Sequence, residues 1–124
     1  NLGIGKFTFV TDFPASQAAL ARIAKDTQGF SVARRFELYI DGLELANGYD
    51  ELLDAEDFKR RCIASKQARE LQQLAEYPIP DRLIAAMPSL PACCGVALGV
   101  DRLLMLLCGV AHIEDCLAFP FANA

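Results

Sequence analysis

Cys94-Gly95-Val96-Ala97-Leu98-Gly99-Val100-Asp101-Arg102-Leu103-Leu104-Met105 is the stretch on which the reading of this chain turns. Small residues alternate with apolar ones, then an Asp-Arg pair opens an apolar helix. The alternation predicts a strand, and Gly95, Ala97 and Gly99 leave one face of it nearly bare, so something must approach that face closely. Arg102 falls in the first turn of the predicted helix, Arg102 to Leu107, which should be buried and end near Gly109. Helix N-termini favour anions, and a guanidinium there adds bidentate phosphate recognition. The plain alternative is a buried strand and helix with one capping ion pair. Gly/Ala alternation followed by Asp-Arg is the more specific combination.

The chain has 124 residues, 53% of them hydrophobic, and a net charge of -4. That suffices for one domain, or part of one, with a real core. The negative balance argues against broad, nonspecific binding to a phosphate backbone. It leaves room for a nucleic acid held by another domain. No apolar run reaches membrane-spanning length, and the start is not a signal peptide. The opening Asn1-Leu2-Gly3, without an initiator Met, predicts a fragment of a longer protein. Cys62, Cys93, Cys94, Cys108 and Cys116 are odd in number, form no CxxC and have only His112 for company. They fit neither a disulfide framework nor a zinc site, and read as packing residues in a reducing cytoplasm.

Phe7 to Thr11 reads as a strand ended by Asp12-Phe13-Pro14, Ala15 to Ala24 as a short helix, and Lys25 to Gly29 as a polar loop. Arg34 to Ile40 and Leu43 to Asn47 alternate like strands around Asp41-Gly42, a preferred two-residue hairpin turn. Asp54 is the predicted N-cap of a helix to about Glu76, with Phe58, Cys62, Ala68, Leu71 and Ala75 on its buried side. Tyr77-Pro78-Ile79-Pro80 breaks it. Asp81 to Met87 gives a short helix, and Phe119-Pro120-Phe121 a packing tail. Strand, hairpin, helices, strand and helix in this order predict an α+β domain, an antiparallel sheet flanked by helices. A regular βαβ alternation and a GxGxxG fingerprint are both missing.

The hairpin carries acids. A two-residue turn pairs Ile40 with Leu43, Tyr39 with Glu44 and Glu37 with Ala46. Phe36, Leu38, Ile40, Leu43 and Leu45 then face the core, and Glu37, Tyr39 and Glu44 share the other face. Glu37 and Glu44 become diagonal neighbours, roughly 7–8 Å apart. Two carboxylates so placed repel unless a cation lies between them, and magnesium is commonly held by one or two carboxylates plus substrate oxygens. The alternative is the wet side of a half-exposed sheet, or pairing of either acid with Arg34, Arg35 or Arg102. Downstream, Asn47, Tyr49 and Glu51 crowd a strand exit. They read either as a turn leading to a helix or as an amino acid pocket in which Glu51 accepts from an ammonium.

The glycine strand with Arg102 resembles motif 3 of class II aminoacyl-tRNA synthetases, in which the arginine contacts the ATP phosphates. Arg34 to Asp54 resembles the lysyl-tRNA synthetase segment that carries ATP-magnesium and lysine contacts, and Thr11-Asp12-Phe13-Pro14-Ala15 the strand end before its pocket. By that resemblance Glu37 and Glu44 are ATP and Mg2+ ligands, and Arg102 is the catalytic arginine on ATP. Asn47, Tyr49 and Glu51 line the amino acid pocket, with Gly95, Ala97 and Gly99 of motif 3 beside them. Lysyl-tRNA synthetases usually have glycine where Ala97 stands. The run from Pro91 to Arg102, and Asp12 to Ala21, look more like the paralogue that adenylates (R)-β-lysine and transfers it to a lysine side chain of translation elongation factor P. Aspartyl-tRNA synthetases can also carry alanine there, but their pocket reads a carboxylate, the opposite polarity to Glu51.

The resemblance runs from about Phe7 to Phe121 and makes 1–124 the C-terminal part of a class II catalytic domain. It implies a homodimeric, cytoplasmic enzyme whose motifs 1 and 2 lie upstream, so these 124 residues alone should be inactive. Charging of tRNA with lysine is the alternative activity. A noncatalytic amino acid sensor is a second, and a plain α+β packing domain is the least specific. Ala97 also has two physical readings: one methyl on a pocket floor is worth roughly 1–3 kcal/mol of discrimination and shifts preference from α-lysine towards a β-amino acid, or the methyl merely packs the sheet.

Overall fold

In the computed structural model, residues 2–121 are described. Asn1 and residues 122–124, which the reading of 1–124 as one domain includes, lie outside them. The chain forms strands β1 (Thr8–Pro14), β2 (Ile23–Lys25), β3 (Ser31–Ile40) and β4 (Leu43–Asp50), then helices α1 (Ala55–Leu71) and α2 (Asp81–Ala86). Strand β5 (Cys94–Leu98) and helix α3 (Val100–Cys108) follow. The sheet runs β1-β3-β4-β5, with β2 also on β3. Leu45 and Glu51 rise along β4 and beyond while their partners Gly99 and Cys93 fall, an antiparallel pairing. This is the expected α+β arrangement.

Asp41 and Gly42 turn the hairpin with φ of 49° and 80°, the type I′ conformation whose twist matches paired strands. The turn is covered by the N-terminal residues: Asp41 and Gly42 N–H donate to the Gly3 and Leu2 carbonyls at 2.8 and 2.7 Å. The Asp41 carboxylate accepts from Gly5 N–H at 2.7 Å. Both hairpin strands extend beyond their expected ends. The expected division into a core face and a wet face is blurred, because residues 35–40 are all half-buried and only Leu45 of the predicted core set is buried.

The described residues cluster into two compact units. One draws on residues 2–11, Phe36–Gly48 and 96–121, the other on Asp12–Arg35 and Tyr49–Gly95. The second holds two small cores. Ala18, Ala21 and Ala33 pack with Phe13 and Tyr49, and Leu52, Phe58 and Met87 pack with Ala55, Cys62 and Ile84.

Four sequence expectations are corrected. Ala15 to Ala24 is not a helix. Ala15–Gln17 makes one 3-10 turn, Ala19 takes φ 48°, and Ile23–Lys25 pair with Ala33, Val32 and Ser31. Alanine's helix propensity yields to sheet hydrogen bonds and to burial of Ala18 and Ala21. Helix α1 ends at Leu71 rather than Glu76. The Arg69 guanidinium donates twice to the Ala75 carbonyl, at 3.0 and 2.8 Å, and lies 4.4 Å from the Tyr77 ring centre, folding the chain back. Ala68, Leu71 and Ala75 are therefore exposed, while Phe58 and Cys62 pack as expected. Helix α3 is not buried, with Val100 67% and Leu107 76% exposed. Phe119 and Phe121 do not pack either, at 90% and 96% exposure.

Candidate functional site

The first unit carries the expected phosphate end. Arg102 stands in the first turn of α3, whose N-cap is Gly99. Gly99 N–H donates to the Leu45 carbonyl at 2.9 Å, which fixes the helix start against β4. One Arg102 Nη donates to the Glu44 main-chain carbonyl at 2.6 Å, so the arginine is anchored to β4 without consuming a carboxylate. Its stem crosses Gly99: a Cβ there would lie 3.2 Å from Arg102 Cδ, tighter than ordinary contact.

Glu37 and Tyr39 share a face of β3, as the alternation predicts, and the tyrosine hydroxyl donates to the Glu37 carboxylate at 2.6 Å. Asn47 Nδ2 donates to the Glu44 carboxylate at 3.3 Å. Arg34 lies 3.9 Å from Asp12, and Arg102 takes a carbonyl. Glu37 and Glu44 are two hard oxygen donors, the chemistry magnesium prefers, but as a pair they need substrate oxygens to complete a shell. Among the described residues no three acids, histidines or cysteines converge as a closed metal site. The two carboxylates are of the donor type that a magnesium shared with phosphate takes. Ala97 is exposed on β5.

The second unit carries Tyr49, Glu51 and Gly95 of the expected amino acid pocket, while Asn47, Ala97 and Gly99 belong to the first. Glu51 is strapped on both sides. Its N–H donates to the Cys93 carbonyl at 3.0 Å, and it bridges Ala21, with Arg22 N–H to Asp50 O and Leu52 N–H to Leu20 O both at 2.8 Å. Glu51 lines an open pocket of about 350 Å3 together with Arg22, Asp50, Asp54, Asp57 and Arg61. Most of these charges are engaged. Arg22 clasps Asp50 through Nε at 3.0 Å and through a second nitrogen. That contact raises the Arg22 pKa, chiefly by hydrogen bonding and then by charge. Asp57 takes both Arg60 and Arg61. Asp54 caps α1 through the amides of Glu56 and Asp57. The half-buried Glu51 carboxylate has no hydrogen-bond or ion-pair partner among the described residues, which suits it to a cationic ligand.

Two contributors are invisible to sequence reading. Arg35 lies 4.3 Å from the Phe13 ring centre and 5.5 Å from that of Tyr49, so its guanidinium contacts both rings. Arg61 donates to the Ala19 and Ala21 carbonyls, both at 2.9 Å, tying α1 to the turn before β2. The i,i+4 spacing from Asp57 is the one local hint of that role.

An antiparallel sheet with an acidic hairpin, and a glycine strand leading into a helix that carries an arginine in its first turn, is the arrangement expected of a class II synthetase-like fold. The chain belongs to the class II tRNA synthetases (D, K and N), which it matches over residues 3–123. It is 48% identical over 125 residues to the elongation factor P–(R)-β-lysine ligase of Proteus mirabilis. It is 46% identical to the proteins of that name from Yersinia enterocolitica and Sodalis glossinidius. Each match covers 100% of this chain and 38% of the relative. The chain thus spans under two fifths of the length of the curated relatives it matches.

Proposed function

We propose that this chain supplies the C-terminal part of the catalytic domain of a cytoplasmic, homodimeric, ATP-dependent ligase. The enzyme adenylates (R)-β-lysine, or lysine, and transfers it to a lysine side chain of translation elongation factor P. The observation that carries this reading is the 46–48% identity, along the whole chain, to proteins named for that reaction. The free Glu51 carboxylate supports a substrate with a side-chain ammonium. No described helix is long and apolar enough to cross a membrane.

ATP is a substrate here. The amino acid carboxylate attacks the α-phosphorus, and the bond to the pyrophosphate oxygen breaks. Arg102 binds the γ-phosphate, its anchor on the Glu44 carbonyl leaving other N–H groups to donate. Glu37 and Glu44 hold magnesium, which supplies neutralisation of phosphate charge. Asn47 orients Glu44, Tyr49 packs on the aliphatic stem and Glu51 accepts from the terminal ammonium. Gly95, Ala97 and Gly99 form the floor. Catalysis is positioning and charge neutralisation, and no residue here is required as a general base. In the second step the acceptor lysine amine attacks the acyl carbon of the adenylate. The amide bond forms as the bond to the phosphate oxygen breaks, and AMP leaves while the amine gives up its proton to solvent.

The test supplies the full-length enzyme with ATP and labelled (R)-β-lysine or α-lysine, offering elongation factor P and, separately, lysine tRNA. Label on the protein, preferentially from (R)-β-lysine, is expected. Label on tRNA from α-lysine would make it a lysyl-tRNA synthetase. No transfer and no ATP–pyrophosphate exchange would favour an amino acid sensor.

A further inference from the structure

The bare face of the glycine strand predicts a close approach, and at Gly95 the approaching group belongs to the protein itself. A Cβ built on Gly95 would collide with Oε1 of Glu51 and lie 3.5 Å from its Cδ. We propose that Gly95 is a positioning residue whose missing side chain is the seat of the Glu51 carboxylate, and that it sets the affinity of the pocket for the substrate ammonium. The proposal rests on the reading of Glu51 as the ammonium acceptor.

Three observations converge on it. First, the Glu51 main chain is held on both sides, by Cys93 and by the bridge to Ala21, so only its side-chain torsions are left to choose where the charge lies. Second, nothing else holds that charge. Arg22 is engaged by Asp50 and Arg61 by Asp57, and the Glu51 carboxylate has no partner among the described residues. Open space over Gly95 is therefore what admits the observed rotamer. Third, the backbone does not need glycine here. Gly95 lies outside the left-handed region that glycine favours, so alanine is compatible with its conformation. Glycine is required for space. The obstacle to an added methyl is the far end of a flexible side chain, so the carboxylate moves and the fold stays.

This separates stability from recognition. Gly95→Ala in the full-length enzyme should keep or raise Tm, since alanine in a compatible strand position reduces unfolded-state entropy. Its affinity for lysine or (R)-β-lysine, titrated separately by calorimetry without ATP, should fall about tenfold as a charge-assisted contact is misplaced. Glu51→Gln should weaken the same affinity, and Gly95→Ala added to it should cause no further loss, because Gly95 acts through Glu51. Wild-type affinity in Gly95→Ala, additive losses in the double variant, or a lowered Tm would each overturn the proposal. If Glu51→Gln itself binds as wild type, the ammonium reading fails and takes this inference with it. A failure confined to Gly95→Ala leaves that reading standing.

Discussion

Arg35 shows how much of the site depends on a residue with no motif of its own. Its guanidinium lies over the rings of both Phe13 and Tyr49 and donates to the Gln17 carbonyl at 3.0 Å. A lysine there keeps the charge but loses the planar face that stacks. Arg35→Lys in the full-length enzyme should weaken amino acid binding several-fold, within the roughly 0.5–2 kcal/mol typical of cation–π contacts. An unchanged Kd would mean that Tyr49 is held by other means. Ala97 is the second residue to test. Removing its methyl, Ala97→Gly, should raise use of α-lysine relative to (R)-β-lysine, read as the ratio of kcat/KM for the two. An unmoved ratio would remove the pocket-floor argument. Burial, then the neighbouring Cys108, pushes the Cys116 thiol pKa up, the direction opposite to thiolate activation.

Helix α1 is fastened at three points, of which the sequence displays one. The Asp54 cap is legible because Asp before an apolar-periodic run satisfies the first amides. The Arg69 clasp on Ala75 and the Arg61 clasp on Ala19 and Ala21 require chain that returns from elsewhere. Arg61 is only 20% exposed at its side chain and donates to two carbonyls and one carboxylate. Arg61→Ala should destabilise by about 1–2 kcal/mol, seen as a lower denaturant midpoint, because one exposed and one part-buried carbonyl and the Asp57 carboxylate lose a charged donor. A midpoint within error of wild type would make the clasp energetically idle. The exposed Lys66–Glu76 pair at the other end contributes differently. Glu76 raises the Lys66 pKa by hydrogen bonding and then by charge. Its contribution is complete below the ordinary lysine value of 10.5 and lost only as pH rises through the raised one, so this lysine gives no pH dependence near neutrality.

On the scale of the whole chain, the first unit exposes Phe7, Phe9, Val96, Val100, Leu107 and Phe121, more apolar side chain than a finished surface usually shows. The relatives, of whose length this chain spans 38%, contain the remaining three fifths. The 124 residues expressed alone should show no ATP–pyrophosphate exchange and should bind a hydrophobic dye, whereas the full-length enzyme should exchange and bind little dye. Exchange by the isolated chain would refute the expectation that the catalytic machinery is divided.

The sequence by itself determined the short-range features. Asp41-Gly42 read as a two-residue hairpin turn, Asp54 as a cap, and the glycine strand followed by Asp101-Arg102 as a helix start with an arginine at its mouth. Each depends on backbone conformations set by neighbours within a few residues. Tertiary structure decided the rest. Ala15 to Ala24 gave up a helix because β3 offered hydrogen bonds, and α1 stopped early because Arg69 found Ala75. Helix α3 looked buried by composition, yet an apolar residue is covered only when other chain lies over it. The empty face at Gly95 was visible in the sequence, but its occupant was not. A side chain from Glu51 fills it, brought there by two strand contacts that no local pattern encodes.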